Sequence, residues 1–202
     1  LLWLLLTGLV VGISGCVSSP LTEEFDNIQT YYQTHDKPKQ QWDNFDRVKL
    51  RFIENGTADK PAVVFIHGTP GGREFFSSYI NHPQLQQKAR LLSIDRPGWG
   101  RSVITGPFEP TLTDQSKMLG QWLCKVSKSS PSGKVIIVGH SYGATLSPRL
   151  ALDHPQCISA MVLLAGAADP DLAAPRWYNT LAQFSVIGWL IDFVDDGLSQ
   201  AN

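Results

Sequence analysis

The sequence predicts an α/β fold, in which helices cover both faces of a mostly parallel sheet. The first observation is a series of short, continuously apolar runs, the pattern of strands that are buried on both faces. These runs occupy residues 62–66, 89–94, 135–138 and 158–164. The second observation is that helical stretches separate the runs, at residues 74–88, 113–128 and 142–154. Strands that alternate with helices in this way favour a parallel sheet.

The composition is that of a folded domain without a strong charge bias. Of the 202 residues, 43% are hydrophobic and 17% are charged, which allows a buried core and argues against a disordered chain. The formal net charge of −1 leaves no broad basic field, so we expect no nucleic-acid partner. The sequence contains neither a metal-ligand cluster nor a dinucleotide glycine fingerprint, so we expect no cofactor and no metal.

Residues 1–15 are interpreted as a signal segment that does not belong to the fold. Residues 1–13 form an almost wholly apolar run. It is shorter than the roughly 20 residues of a membrane span but suits the apolar region of a secretory signal. The small residues directly before Cys16 make the segment resemble the lipobox of bacterial lipoproteins. The resemblance implies cleavage before Cys16, acylation of Cys16 and a lipid anchor in the bacterial cell envelope, with the outer membrane favoured because Val17 follows the cysteine. An ordinary signal peptide or a short buried helix is the alternative.

The rest of the chain divides into three parts by pattern. Residues 16–46 are polar and predict a tether. From residue 47 to residue 52 charged and apolar side chains alternate, as in a half-exposed strand, and this strand opens the core that we assign to 47–168. Residues 169–202 hold aromatic side chains in two predicted helices and no further strand. Since the chain starts with Leu and stops within these helices, we expect it to be part of a longer product whose last strands are missing here.

A candidate nucleophile follows the third buried run. Residues 139–143 read Gly-His-Ser-Tyr-Gly, a G-x-S-x-G pattern between a predicted strand and a predicted helix. A serine on such a tight turn needs glycines two residues to either side, because the strained backbone leaves no room for β-carbons there. The N-terminus of the following helix favours developing negative charge. The pattern therefore points to Ser141 as a nucleophile; a glycine-rich turn that merely packs is the alternative.

Two further loops follow the neighbouring runs. Residues 67–72 read HGTPGG after the first run, and residues 95–102 read DRPGWGRS after the second. Together with GHSYG, in this order and spacing, these motifs resemble those of the α/β-hydrolase superfamily over about residues 47–168. The resemblance implies the α/β-hydrolase fold, with Ser141 as nucleophile and the backbone amides of Thr69 and Tyr142 as the oxyanion hole. It also implies that residues 169–202 begin a cap or lid over the substrate pocket.

The catalytic base is not evident. A serine nucleophile needs a general base and a carboxylate that orients it. In the superfamily the order is serine, acid, histidine, but no histidine follows residue 154 here. Asp169, after the last predicted strand, is a candidate acid, with a loop-capping aspartate as the alternative. The remaining histidines are interpreted as surface, loop or structural residues: His35, His67, His82, His140 and His154.

Two functional hypotheses follow. The first is a membrane-anchored serine hydrolase that cleaves carboxylic esters, or amides, through an acyl-enzyme, and whose 202-residue piece is inactive because it lacks the base. Serine rather than aspartate at position 141 argues against epoxide hydrolase or dehalogenase chemistry. The second is a non-catalytic lipoprotein that uses the same scaffold for binding. Cys124 and Cys157 are predicted near the same edge of the sheet, and two free buried thiols are favoured over a disulfide.

Overall fold

The structure is a computed structural model that describes residues 40–109 and 111–166, together with residues 30, 32–34 and 38. The chain divides into two compact units, Leu1–Lys37 and Pro38–Asn202. All the strands and helices named below belong to the second unit. Cys16, Asp169, the predicted signal segment and the predicted cap helices lie outside the described residues.

The described strands form one mixed sheet. The strands are β1 Gln40–Phe45, β2 Val48–Asn55, β3 Ala62–Ile66, β4 Arg90–Ile94, β5 Val103–Ile104, β6 Val135–His140 and β7 Ile158–Leu164. Their order across the sheet is β1-β2-β4-β3-β6-β7, and β5 pairs with β2. The four strands β4, β3, β6 and β7 run parallel, whereas β1, β2 and β5 pair antiparallel. The predicted parallel arrangement of the four buried runs is confirmed.

The helices follow the strands, as the alternating pattern predicts. They are a 3₁₀ turn Arg73–Phe76, α1 Ser77–Ile80, α2 Pro83–Lys88, α3 Leu112–Ser127 and α4 Tyr142–Asp153. The stretch 74–88, predicted as helical with a possible break near Pro83, consists of the 3₁₀ turn, α1 and α2; the predicted break occurs because Pro83 lacks an amide hydrogen and begins a new helix. Among the described residues, no helix combines the length and the apolar character that crossing a bilayer requires.

Two apolar layers cover the two faces of the sheet. Along β3, Val64 and Ile66 belong to the larger layer, which packs on α3 and α4, while Phe65 belongs to the smaller layer on the opposite face. The smaller layer includes Phe76 from the 3₁₀ turn and Ile80 from α1. Because successive side chains of a strand point to opposite faces, a strand with helices on both sides needs apolar residues throughout. This confirms the prediction of helices on both faces.

The strand β1 lies within the segment that the sequence predicts to be a tether. All six of its residues pair with β2, from Gln40 opposite Ile53 to Phe45 opposite Val48. The side chains of β1 are mostly exposed and polar, so the segment lacks the apolar pattern of a strand. An edge strand is held by backbone hydrogen bonds to its single neighbour and does not need apolar side chains on both faces.

Cys124 and Cys157 form a disulfide, which corrects the preference for two free thiols. Their α-carbons are 5.0 Å apart, within the range that a disulfide requires. Cys124 lies near the end of α3, and Cys157 directly precedes β7. The bond therefore joins a helix on one face of the sheet to the beginning of β7.

Candidate active site

Three strand ends bring the candidate motifs together. Ile66 at the end of β3 lies opposite Ile94 at the end of β4 and opposite Gly139 in β6. The three strands are parallel, so the loops that follow them leave the sheet at the same edge. The loops 67–72 and 95–102 therefore lie beside the turn that carries Ser141. In sheets of this kind, the carboxyl ends of the strands are where ligands bind.

Ser141 occupies a strained turn between β6 and α4. Its backbone angles are φ 50° and ψ −115°, a region that non-glycine residues rarely adopt. A β-carbon at Gly139 would overlap the carbonyl group of Gly143, and one at Gly143 would lie 2.7 Å from the carbonyl carbon of Ile66. Both glycines thus allow the close packing that the turn requires. The Ser141 amide donates a hydrogen bond of 2.9 Å to the Leu164 carbonyl at the end of β7.

The Ser141 side chain lies beside the backbone of Gly68. A β-carbon at position 68 would be 2.7 Å from the Ser141 β-carbon and 3.2 Å from its hydroxyl oxygen. Ser141 is half-buried and Thr69 is exposed, so this part of the site reaches the surface of the described structure. Within residues 40–109 and 111–166, no group forms a hydrogen bond with the Ser141 hydroxyl.

The two candidate oxyanion donors flank this serine. Thr69 directly follows Gly68, and Tyr142 is the first residue of α4. The structure therefore brings Thr69, Tyr142 and Ser141 to the same strand edge. The Tyr142 hydroxyl accepts a hydrogen bond of 2.6 Å from Gln115 of α3, so a second helix fixes the position of this side chain.

His67 connects two of the loops and is fully buried. Its Nδ1 lies 2.7 Å from the Gly68 carbonyl oxygen, and its Nε2 lies 3.1 Å from the Arg96 amide. Because the carbonyl can only accept and the amide only donates, Nδ1 carries the proton and Nε2 accepts. Burial and the nearby Arg96 cation lower the pKa of His67 to about 3. Both ring nitrogens are engaged, so His67 holds the loops in place and has no free nitrogen with which to act as a base.

The other described histidines are occupied elsewhere. The imidazole of His140 stacks on Phe75, with 4.3 Å between ring centroids, and burial lowers its pKa. His154 at the end of α4 lies with Nε2 3.1 Å from the Ser116 carbonyl. His82 precedes α2. Within the described part of the chain, none of these histidines forms a hydrogen bond with the Ser141 hydroxyl, in keeping with the structural interpretation of these residues.

Asp95 organises the loop after β4 and is buried. Its carboxylate accepts hydrogen bonds from the backbone amides of Arg73, at 3.0 Å, and Arg101, at 3.3 Å. It also forms ion pairs with the guanidinium groups of Arg73, at 3.3 Å, and Arg51, at 3.6 Å. Gly100 is required beside it, since a β-carbon there would lie 2.6 Å from the Asp95 carboxyl carbon. The carboxylate is therefore saturated by groups that shape the loop.

Arg51 differs from its predicted environment. The alternating pattern of residues 47–52 predicts that its side chain faces solvent, yet Arg51 is 1% exposed. Its partner Asp95 directly follows β4, a strand that is distant in sequence from β2 but adjacent to it in the sheet. Burial and the neighbouring Arg73 cation lower the pKa of the Arg51 guanidinium, and Asp95 opposes this effect.

Arg96 is a site residue that sequence reasoning missed. Its guanidinium is fully buried and contacts two aromatic rings, 4.1 Å from the centroid of Trp99 and 4.4 Å from that of Tyr142. Burial of a charged side chain directly under a candidate oxyanion donor is unusual. The DRPGWGRS motif contains Arg96 and Trp99, but nothing in the motif itself indicates that the Arg96 guanidinium contacts the rings of both Trp99 and Tyr142.

Comparison with known proteins agrees with this geometry. The family model for the alpha/beta hydrolase fold matches residues 61–185, more than half of the chain. The chain belongs to the α/β-hydrolase family. The matched range contains the three strand-end loops and Ser141, so the family assignment and the site rest on the same residues.

The chain is similar to proteins that are named for different activities. The chain is 28% identical over 126 residues to a 1-acylglycerol-3-phosphate O-acyltransferase of Arabidopsis thaliana, covering 58% of this chain and 28% of that protein. It is 25% identical over 139 residues to epoxide hydrolase 1 of Caenorhabditis elegans, covering 68% of this chain and 33% of that protein. The chain thus spans about a third of the length of these curated relatives.

Solved structures share the same fold. A bacterial membrane phospholipase A superimposes with a TM-score of 0.59 at 17% identity, covering 82% of this chain and 52% of that one. The α/β-hydrolase architecture is therefore shared with enzymes whose sequences differ widely from this one. The chain spans about half of that solved structure.

Proposed function

We propose that this α/β-hydrolase is a serine hydrolase that cleaves carboxylic esters through an acyl-enzyme on Ser141. The observation that carries the proposal is the strained turn at Ser141, with φ 50° at the junction of β6 and α4, and its hydroxyl beside the Gly68–Thr69 loop. Strain of this kind, when seen, points to a functional site because an ordinary turn would avoid it. Serine at this position also distinguishes the proposed chemistry from that of an aspartate nucleophile.

The proposed reaction proceeds in two balanced steps. The Ser141 oxygen attacks the ester carbonyl carbon while its proton passes to a general base. The carbonyl oxygen gains negative charge, which the amides of Thr69 and Tyr142 stabilise. The carbon–oxygen bond to the alcohol then breaks, and the alcohol leaves with the proton from the base. Water attacks the acyl-enzyme in the same way and releases the carboxylic acid and free Ser141.

We further propose that the general base is a histidine of a longer gene product, beyond the 202 residues of this chain. His67 has both ring nitrogens engaged, and His140 and His154 contact other groups. Asp169, after β7, remains the candidate acid that orients such a histidine. This arrangement predicts that the 202-residue chain alone hydrolyses esters weakly or not at all. Losing the base leaves a serine enzyme with about 10³–10⁴-fold of residual rate enhancement over water.

The test uses that proposed longer gene product, which the proposal includes because this chain spans only about a third of the length of its curated relatives. The parent is expected to hydrolyse p-nitrophenyl butyrate and to be labelled by a fluorophosphonate probe, and Ser141→Ala is expected to lose both. Ser132→Ala is the matched control, since Ser132 is an exposed serine that precedes the same strand β6. It should keep the hydrolysis rate and the labelling of the parent. Full activity and labelling in Ser141→Ala would reject Ser141 as the nucleophile, whereas a parent with neither activity nor labelling would favour a lipoprotein that uses the scaffold for binding.

We propose that a lipid anchor at Cys16 attaches the protein to a membrane. Acylation of Cys16 together with its diacylglycerol group provides two or three chains, which is enough for stable anchoring where a single chain is marginal. The proposal rests on the lipobox resemblance of the residues around Cys16. Cys16→Ala should move the protein from the membrane fraction, with the outer membrane favoured, to the soluble fraction. Equal membrane fractionation of parent and variant would reject the anchor.

A further inference from the structure

The peptide unit that joins Gly68 to Thr69 is held from one side by two donors. His67 Nδ1 lies 2.7 Å from the Gly68 carbonyl oxygen, and Arg96 Nη2 lies 3.1 Å from the same atom. In a trans peptide the carbonyl oxygen and the amide hydrogen of one unit point in opposite directions. The cis bond of this loop is the next one, Thr69–Pro70, so the Gly68–Thr69 unit is trans. Holding the Gly68 carbonyl therefore sets the direction of the Thr69 amide.

Arg96 is itself held rigidly. Its side chain is fully buried, and its guanidinium contacts the rings of both Trp99 and Tyr142. Nη1 donates a hydrogen bond of 3.2 Å to Gln115 of α3, and the Arg96 backbone amide donates to His67 Nε2. A buried side chain that touches two aromatic rings and is hydrogen-bonded to a neighbouring helix has little freedom to follow a moving loop. It therefore suits the task of fixing a neighbouring peptide unit.

The same guanidinium contacts the side chains of Thr69 and Tyr142, the two residues whose backbone amides are the candidate oxyanion donors. Nη2 donates a second hydrogen bond, of 2.6 Å, to the Thr69 hydroxyl. Toward the other donor, the guanidinium lies over the Tyr142 ring, and its partner Gln115 donates 2.6 Å to the Tyr142 hydroxyl. Arg96 thus connects Thr69 of the loop to Tyr142 at the beginning of α4.

We propose that Arg96 is a positioning residue that clamps the Gly68–Thr69 peptide with the Thr69 amide directed at the oxyanion. This inference rests on the proposed function, because an oxyanion forms only if Ser141 attacks a carbonyl. The cation also polarises the Gly68 carbonyl, and polarisation along a hydrogen-bond chain strengthens the amide on the other end of the same unit. Without Arg96, His67 is the one donor to the Gly68 carbonyl left among the described residues, and the peptide unit can rotate so that the amide turns away.

The kinetic test compares Arg96→Gln with the parent in the longer gene product. We expect kcat for p-nitrophenyl butyrate to fall about 100-fold, the loss typical of one oxyanion donor, while KM changes less than about threefold. The dissociation constant of butylboronic acid, which forms a tetrahedral adduct with a serine, should rise in parallel with the fall in kcat. Arg96→Lys keeps the charge but not the forked geometry, so its kcat should be intermediate.

Arg90→Gln is the matched control. Arg90 is also mostly buried and ion-paired, with Nε 2.6 Å from Glu54, but it lies at the other end of β4 from Arg96. Its replacement should lower the melting temperature and leave kcat unchanged. Should Arg96→Gln fail to fold, Arg96→Lys and Thr69→Val serve instead, since Thr69→Val removes the hydroxyl that Arg96 binds and keeps the backbone. Both should lower kcat, about tenfold or less, without an equal change in KM.

A crystal structure of the folded Arg96 variant separates this proposal from the proposed function. We expect the Gly68–Thr69 peptide to be rotated or split between two orientations. An unmoved peptide, together with a kcat within twofold of the parent in folded Arg96→Lys and Thr69→Val, would overturn the clamp while leaving a Ser141-dependent hydrolase intact. If instead the parent and Ser141→Ala have equal rates, the hydrolase falls, and the peptide orientation still decides whether Arg96 sets it.

Discussion

The backbone of Gly68 lies directly against the side chain of Ser141. A β-carbon at position 68 would be 2.7 Å from the Ser141 β-carbon and 3.2 Å from its hydroxyl oxygen. The loop that carries the proposed Thr69 oxyanion donor and the turn that carries the proposed nucleophile therefore share one small space. Any side chain at position 68 has to displace one of the two.

Gly68→Ala is accordingly expected to lower kcat of the longer gene product by about 100-fold or more, because the proposed nucleophile and oxyanion donor move apart. The measurement is ester hydrolysis normalised to folded protein. Gly106→Ala is the control: Gly106 has a φ of 89°, but a β-carbon there meets nothing within 4 Å. It should lose about 1 kcal/mol of stability and no activity. Equal activity of Gly68→Ala and the parent would contradict the shared space.

Ser141→Gly is expected to be more stable than Ser141→Ala. The backbone at position 141, with φ 50° and ψ −115°, is strained for any residue that has a β-carbon. Glycine adopts it freely, although it gains entropy in the unfolded chain. We expect a net difference of about 1 kcal/mol in the free energy of unfolding, measured by urea denaturation of both variants. A glycine variant that is less stable than the alanine variant would show that the turn is not strained.

The free energy of unfolding is expected to decrease as the pH is lowered below about 6.5, because of His67. Its pKa is lowered from 6.5 to about 3 in the folded protein by burial and by the Arg96 cation. Between these values the unfolded chain binds a proton that the folded protein excludes. This contribution to stability is present above pH 6.5 and is lost at about 1.4 kcal/mol per pH unit as the pH falls toward 3.

His67→Gln tests this contribution, because glutamine can donate to the Gly68 carbonyl and accept from the Arg96 amide without titrating. Urea denaturation at pH 7, 5.5 and 4.5 should show a smaller decrease in stability for the variant than for the parent. Parallel pH profiles for the two proteins would mean that His67 binds a proton in the folded protein as readily as in the unfolded chain.

Reduction of the Cys124–Cys157 disulfide is expected to destabilise the protein by about 3–4 kcal/mol. The bond closes a loop with a sequence separation of 33, and the estimate follows from the chain entropy that such a loop removes from the unfolded state. The measurement is the melting temperature with and without dithiothreitol. The double variant Cys124→Ser/Cys157→Ser should be less stable and insensitive to the reductant. A parent that is equally insensitive would indicate that the two thiols are free.

The buried strands and the position of Ser141 could be predicted from the sequence. The run at 62–66 matches β3 residue for residue, because a strand covered on both faces must be apolar throughout. The run at 158–164 also matches β7 residue for residue, but in the described part of the chain β7 is not covered on both faces as predicted, since only Ile158 of this strand is buried. The G-x-S-x-G turn is equally local, since its two glycines are required by the backbone within a few residues. Patterns of this kind depend on residues that are neighbours in sequence, so they can be recognised without the tertiary structure.

Polar residues could not be placed in the same way. β1 lacks an apolar pattern, because pairing with β2 through backbone groups is all that an edge strand needs. Arg51 occupies a position that alternation assigns to solvent, yet its side chain is buried and forms an ion pair with the carboxylate of Asp95, which directly follows the neighbouring strand β4. A buried charge is stable only beside the groups that compensate for its lost hydration, and those groups come from distant parts of the chain.

The sequence by itself thus determined the α/β class, the buried strands and the turn at Ser141, since each follows from a local pattern of side chains and glycines. Only the tertiary structure decided that Cys124 pairs with Cys157 and that Arg96 contacts the rings of Trp99 and Tyr142 while binding the Gly68 carbonyl. These contacts join residues that are far apart in the chain. Their partners are selected by the packing of strands and helices, which no short stretch of sequence encodes.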